Sequence, residues 1–165
     1  MTGNVYRLRV PDVQAATTQA RKGLEAMART AVEVDPRLIA FILPSIPESV
    51  QIARLHVRTA LGFHGLADYA EDAEIITSEL VTNAVQHVRG DGAETIGVTL
   101  ARATNPPTVT VVVSDSSSTG PVLRDTSAGS EQGRGLKIVE ALSAHWGWRQ
   151  EEGGKAVFAV LARET

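Results

Sequence analysis

The chain has 165 residues, 43% of them hydrophobic, a formal net charge of −3 and no cysteine. That length suits one domain with a short extension and a real core, and the lack of cysteine excludes disulfides and thiolate metal sites. Charges of both signs are mixed along the chain without the basic stripe of a nucleic-acid binder, and there is no membrane-length apolar run or signal-peptide pattern, so direct nucleic-acid binding and membrane association are not expected and a cytoplasmic location is.

Residues 1–9 read as disordered or extended. Residues 11–33 are Ala-rich, with Leu24, Met27, Ala31 and Val32 at helical spacing and Pro11 suited to a first helical turn. Asp35-Pro36 breaks the chain, which separates a helical extension (1–36) from the main domain (37–165). Leu38 to Leu43 is a short apolar strand ended by Pro44. Residues 48–61 form a helix with Val50, Ala53, Leu55, Val57 and Leu61 as expected core positions, closed by Gly62. Its polar side carries Arg54 and Arg58, a candidate contact surface if it is more than a solvated face.

Residues 68–88 form a long helix. Ile76, Leu80, Ala84 and Val88 make one apolar stripe, Ile75 lies beside it, and Val81 and Val85 add a second. Glu79, Asn83 and His87 stand at i, i+4 and i+8, which stacks them on one face. Arg89 to Gly92 is a turn. Strands are expected at 95–101 and 109–113, joined by Asn105-Pro106-Pro107. The second runs into Ser114-Asp115. Residues 116–132 are a long Ser/Gly/Thr-rich loop, a length that is often functional. A helix opens at Gly133-Arg134-Gly135-Leu136 and runs to about Ala144. Residues 146–150 and 156–161 form a final hairpin around Glu151-Glu152-Gly153-Gly154. There is no internal repeat. The order predicts an α+β two-layer sandwich, a mixed, mostly antiparallel sheet with helices on one face.

Three sites carry candidate chemistry. A glutamate can act as a base, and an amide oxygen such as that of Asn83 can bind a hard cation. Asp115, at a strand end, can accept a hydrogen bond from an exocyclic amine or simply shape a turn. Gly133 and Gly135 open a helix whose free N–H groups suit phosphate. Each pattern alone is weak, since solvated polar residues and flexible loop ends are common.

Together, Glu-x3-Asn-x3-His on a helix, Asp after a β-branched strand, a loop, then Gly-x-Gly-Leu and a last hairpin with Gly153-Gly154-Lys155 resemble the GHKL ATPase superfamily, whose members share the Bergerat ATP-binding fold. The likeness covers roughly residues 38–162. The wording Ser78-Glu79-Leu80-Val81-Thr82-Asn83-Ala84-Val85-Gln86-His87 is most similar to the anti-sigma-factor serine kinases, and to the small ATP-binding regulators of actinomycetes among them. The resemblance implies ATP and Mg2+ as cofactors. It implies Asn83 as the Mg2+ ligand, Glu79 as the base toward a protein serine, and Asp115 on the adenine amine. Gly133, Arg134, Gly135 and Leu136 would lie at the phosphates, with Lys137 a further neighbour. Residues 116–132 would be a lid, and His87 would bond within the fold. Its implied partners are a sigma factor and an anti-anti-sigma (STAS-type) protein, with a homodimer as one arrangement.

The chain departs from the family pattern twice. Asp115-Ser116-Ser117-Ser118-Thr119 stands where Asp-x-Gly-x-Gly is usual, and Ala156 stands where a threonine often helps hold adenine. Both bear on nucleotide affinity rather than fold. Three functions follow: a protein serine kinase acting by partner switching; a non-catalytic partner-binding module; and a histidine-kinase catalytic domain. The last is disfavoured because Val57-Arg58-Thr59 after His56 lacks the expected acidic residue and proline.

Overall fold

Val109 to Val113 forms a strand because β-branched side chains fit a pleated, buried surface. In the computed structural model, which describes residues 39–87, 94–104, 106–121 and 134–163, this segment lies in the middle strand of a five-stranded sheet. The strands are β1 (Ile39–Pro44), β2 (Thr95–Thr104), β3 (Pro107–Asp115), β4 (His145–Glu151) and β5 (Gly154–Ala162). Their order is β1-β2-β3-β5-β4, and every pairing is antiparallel. The helix expected at 11–33 lies outside the described residues.

Strand alternation decides what faces the helices. Ile39, Phe41 and Leu43 of β1, Ile96, Val98 and Leu100 of β2, Val109, Val111 and Val113 of β3, and Val157, Ala159 and Leu161 of β5 all belong to one apolar cluster. The ladders run past the expected ends. β2 reaches Thr104 and β3 begins at Pro107, since the register pairs these two residues across a tight turn. Pro44 is tolerated because β1 is an edge strand.

Helix α1 (Ser49–Phe63) buries Ser49, Ala53, Val57 and Leu61, a spacing of four. Ser49 Oγ donates to the Pro44 carbonyl at 2.6 Å and fixes the turn into the helix. Leu55 was expected in the core but is 65% exposed. It stands two residues from both Ala53 and Val57, on the opposite side of the helix at about 100° per residue. A 3-10 turn (Ala67–Tyr69) leads into helix α2 (Ala70–His87), which buries Ala73, Ile76, Thr77, Leu80, Val81 and Ala84. Helix α3 (Arg134–Leu142) packs on α2 through buried Leu136 and Val139. All three helices therefore share one face of the sheet.

Two charged clusters fasten the layers. Arg54 and Arg58 of α1 reach Glu74 of α2, with Arg58 Nε 2.8 Å from Oε1 and Arg54 Nη2 3.8 Å from Oε2. Glu74 is buried, while the side chains of Arg54 and Arg58 stay 50% and 68% exposed. Arg163 beyond β5 meets Asp72 at 2.9 Å and the Asp68 carbonyl at 2.6 Å, and lies over the Tyr69 ring. No helix among the described residues is long and apolar enough to cross a membrane.

Ile76 is fully buried at the centre of α2. Ile76→Ala is expected to cost about 2–5 kcal/mol through lost burial and the cavity left behind. A urea melt should show a lower midpoint with an unchanged slope.

Candidate functional site

The first cluster forms where α3 begins against α2. Leu136 anchors the start of α3 in the core, which fixes where its free N–H groups lie. A carbon placed on Gly135 as Cβ would lie 2.5 Å from Glu79 Oε2. A side chain at 135 would have to push the glutamate tip aside, so the helix start sits directly on the glutamate. Burial pushes the Glu79 carboxyl above its ordinary 4.5, as desolvation of a carboxylate must. A half-buried carboxyl with a raised pKa is a better proton acceptor near neutrality than a solvated one. Glu79 thus has the setting of a base beside a helix N-terminus suited to phosphate.

Asn83 is half-buried one turn further along α2, with its amide on the same face. His87 is exposed, and its Nδ1 lies 2.7 Å from the Asn83 carbonyl, a bond within the helix. Among the described residues there is no cluster of three or more His, Cys, Asp or Glu that could cage a metal. The donor set fits Mg2+ bound by one amide oxygen together with phosphates and water, the usual way that ion is held. Arg134 is exposed at the helix start, and Leu136 can offer a ligand only its backbone N–H. Gly133 and loop residues 122–132 lie outside the described residues.

The second cluster forms at the end of the two central strands. Asp115 follows Val109, Val111 and Val113 on the helix-side face, and the register sets it opposite Lys155. Asp115 Oδ1 accepts from Lys155 Nζ at 3.0 Å and from the Ser117 amide at 2.8 Å. Both partners of the ion pair are almost wholly buried, the side chains 4% and 2% exposed. Ser117 Oγ in turn accepts from the Thr119 amide at 3.2 Å. Ser117 and Thr119, which replace the usual glycines, thus build successive side-chain turns. Gly154 lets β5 pass close to the Asp115 carbonyl, where any side chain would collide.

The register also corrects one reading of the sequence. Ala156 pairs with Ser114 and, by alternation, points to the helix-free face. It is not beside Asp115, so a hydroxyl there would not reach a base held by Asp115. The polar side chain that faces Asp115 from β5 is Lys155. Sequence reasoning passed over the side that Lys155 faces, although counting back two residues from Val157 on an alternating strand gives it. Among the described residues, no hydrogen bond or ion pair joins the Glu79–Gly135 group to the Asp115–Lys155 group. An open cleft of about 240 Å3 lies at the same sheet end, lined by Ile42, Gly97, Ser114, Asp115 and Lys155. It includes neither Glu79 nor Gly135, and Ile42, Gly97 and Ser114 place much of it on the helix-free face.

An antiparallel sheet covered on one face by three helices defines an open-faced α+β domain. The chain belongs to the family of the histidine kinase-like ATPase domain, whose match spans residues 43–161. Membership in that ATPase family implies ATP binding. No curated protein matches the sequence. Among solved structures, the RsbU and RsbW domains of Rv1364c from Mycobacterium tuberculosis are similar with a TM-score of 0.55 and 19% identity. That likeness covers 76% of this chain and 31% of the other, so this chain spans about a third of the length of that protein. The histidine kinase domain of the Erythrobacter litoralis EL346 blue-light activated histidine kinase matches with a TM-score of 0.43 and 18% identity, over 93% of this chain and 76% of the other. At these identities the first likeness speaks to the fold alone, and the second carries no further argument.

Two outcomes follow from the geometry. Lys155→Met strands the buried Asp115 carboxylate and should cost about 3–5 kcal/mol of unfolding free energy; adding Asp115→Asn should restore part of it in the same urea melts. The raised folded-state pKa of Glu79 means that its contribution to stability falls as pH rises from 4.5 through the folded value. Glu79→Gln should therefore melt above the parent at pH 7, with the gain vanishing as the pH is lowered toward 4.

Proposed function

We propose that this chain is an ATP-binding regulator that phosphorylates a serine on an anti-anti-sigma (STAS-type) protein and sequesters a sigma factor by partner switching. The observation that carries the catalytic part is the seating of the α3 start on the Glu79 carboxylate through Gly135. It sets a proton acceptor with a raised pKa beside the N–H groups that suit a phosphate chain. The order Glu79, Asn83, Asp115, Gly135 along the chain, and its membership in the ATPase family, support the same reading.

In this reading ATP is the phosphoryl donor and Mg2+ would offset its charge. Asn83 would hold the cation through its amide oxygen. Arg134, Gly135 and the Leu136 amide, with Gly133 as the family resemblance implies, would bind the phosphates, and Asp115 would accept from the adenine amine. Glu79 orients the serine hydroxyl and takes its proton as the hydroxyl oxygen bonds to the γ-phosphorus. The bond from that phosphorus to the bridging oxygen breaks, and its electrons leave with ADP. Such transfer depends on positioning and electrostatics more than on covalent chemistry by the protein.

A second reading is a partner-binding module without catalysis. It is favoured by one observation: the Asp115 oxygen Oδ1 is already engaged by Lys155 and Ser117.

Calorimetric titration of ATP with Mg2+ and then with EDTA separates the two. Binding that requires Mg2+ supports the regulator, whereas no binding at millimolar ATP leaves the scaffold. Glu79→Gln is expected to keep ATP binding and to lower phosphotransfer by about a hundredfold or more, the scale of a lost general base. Unchanged phosphotransfer would remove Glu79 from the reaction. Asn83→Ala should weaken the Mg2+-dependent part of binding and leave the EDTA value alone.

A further inference from the structure

Lys155 is the one buried cation among the described residues. Of the buried charges, Glu74 is accounted for by the α1–α2 ion pairs and Asp115 by the proposed recognition of the base; Lys155 so far has only the part of counter-charge to Asp115. We propose that Lys155 reads the base jointly with Asp115, its ammonium donating to ring nitrogen N1 of a 6-aminopurine while Asp115 accepts from the exocyclic amine. This rests on the nucleotide-binding reading of the site and adds to it the residue that sets base selectivity.

The chemistry of the pair is complementary to that edge. A carboxylate only accepts and an ammonium only donates. Here they stand 3.0 Å apart, side by side on the two central strands. A 6-aminopurine presents an N–H donor at position 6 and an acceptor at position 1, adjacent and in the matching order. Both bonds received by Asp115 among the described residues converge on Oδ1, which leaves Oδ2 for the amine. The ammonium has three N–H donors, and its bond to Asp115 uses one. The ion pair also fixes the long lysine side chain before any ligand arrives, so little rotamer freedom is lost on binding. A 6-oxopurine reverses the order: in the same pose its carbonyl would face the carboxylate and its N1–H the ammonium. That places like against like and rejects the wrong base by repulsion as well as by lost bonds.

The test titrates ATP, 1-deaza-ATP (a CH group in place of N1) and GTP into the full chain. The parent should bind ATP about ten- to a hundredfold tighter than 1-deaza-ATP, the scale of one hydrogen bond from a charged donor. Lys155→Met should bind the two alike and lose part of its preference over GTP. If Lys155→Met is too unstable to titrate, the Lys155→Met/Asp115→Asn pair, which removes both charges, takes its place with the same expectation. A merely structural lysine would lower affinity for all three ligands and leave their ratios unchanged. An ATP to 1-deaza-ATP ratio that is equal in parent and variant therefore overturns the role of Lys155 and leaves nucleotide binding intact. A parent chain that binds no triphosphate overturns the nucleotide reading itself, and the role of Lys155 with it.

Discussion

The register between β3 and β5 is the constraint on which the rest of the arrangement depends. It sets Val109, Val111 and Val113 against Leu161, Ala159 and Val157, all on the helix side. The same register carries the next pair, Asp115 and Lys155, to that side at the strand ends. A slip of one residue would turn the valines to the helix-free face and separate the two charges. Hydrophobic burial along the strands and pairing of charge at their ends thus select one and the same alignment. The buried ion pair adds little net stability against an apolar alternative, but a misaligned strand would leave both charges buried and unpaired.

Helix α2 answers a second demand. Its stripe of Ile76, Leu80 and Ala84 holds it to the sheet, and Glu74 ties it to α1 through Arg54 and Arg58. The edge of α2 that carries Glu79 meets the start of α3. The closeness of α3 follows from Leu136 and Val139 in the core and from the absence of a side chain at Gly135. Glu79 is desolvated as a consequence of packing, without a designed pocket around it.

Much of this was legible in the sequence because it rests on short-range periodicity. The helical spacing around Glu79, the β-branched run before Asp115 and the turn residues of the last hairpin each mark their own element. Leu55 and Arg58 were harder. Their places depend on which face of α1 meets α2, and a sequence with apolar residues at 50, 53, 55, 57 and 61 fits more than one face. Ala156 and Lys155 show the limit most clearly. Adjacent residues on a strand point to opposite faces, so a motif matched by its wording assigns the role to a neighbour unless the register is known. The replaced glycines after Asp115 likewise read as losses in the sequence, whereas Ser117 Oγ accepts from the Thr119 amide, a bond that glycine cannot make.

The two carboxylates therefore sit in different settings. Asp115 is deeply buried but has a cation and an amide bonded to one oxygen. Glu79 is less buried, yet desolvation alone governs it and drives its pKa upward. In the proposed reaction a carboxylate that holds a fixed hydrogen-bond pattern gains from bonded partners, and one that takes up a proton gains from an environment that makes its charge costly. That division follows from the positions of one lysine and one glycine. Lys155 supplies the counter-charge at the strand ends, and Gly135 lets the start of α3 lie against the Glu79 carboxyl.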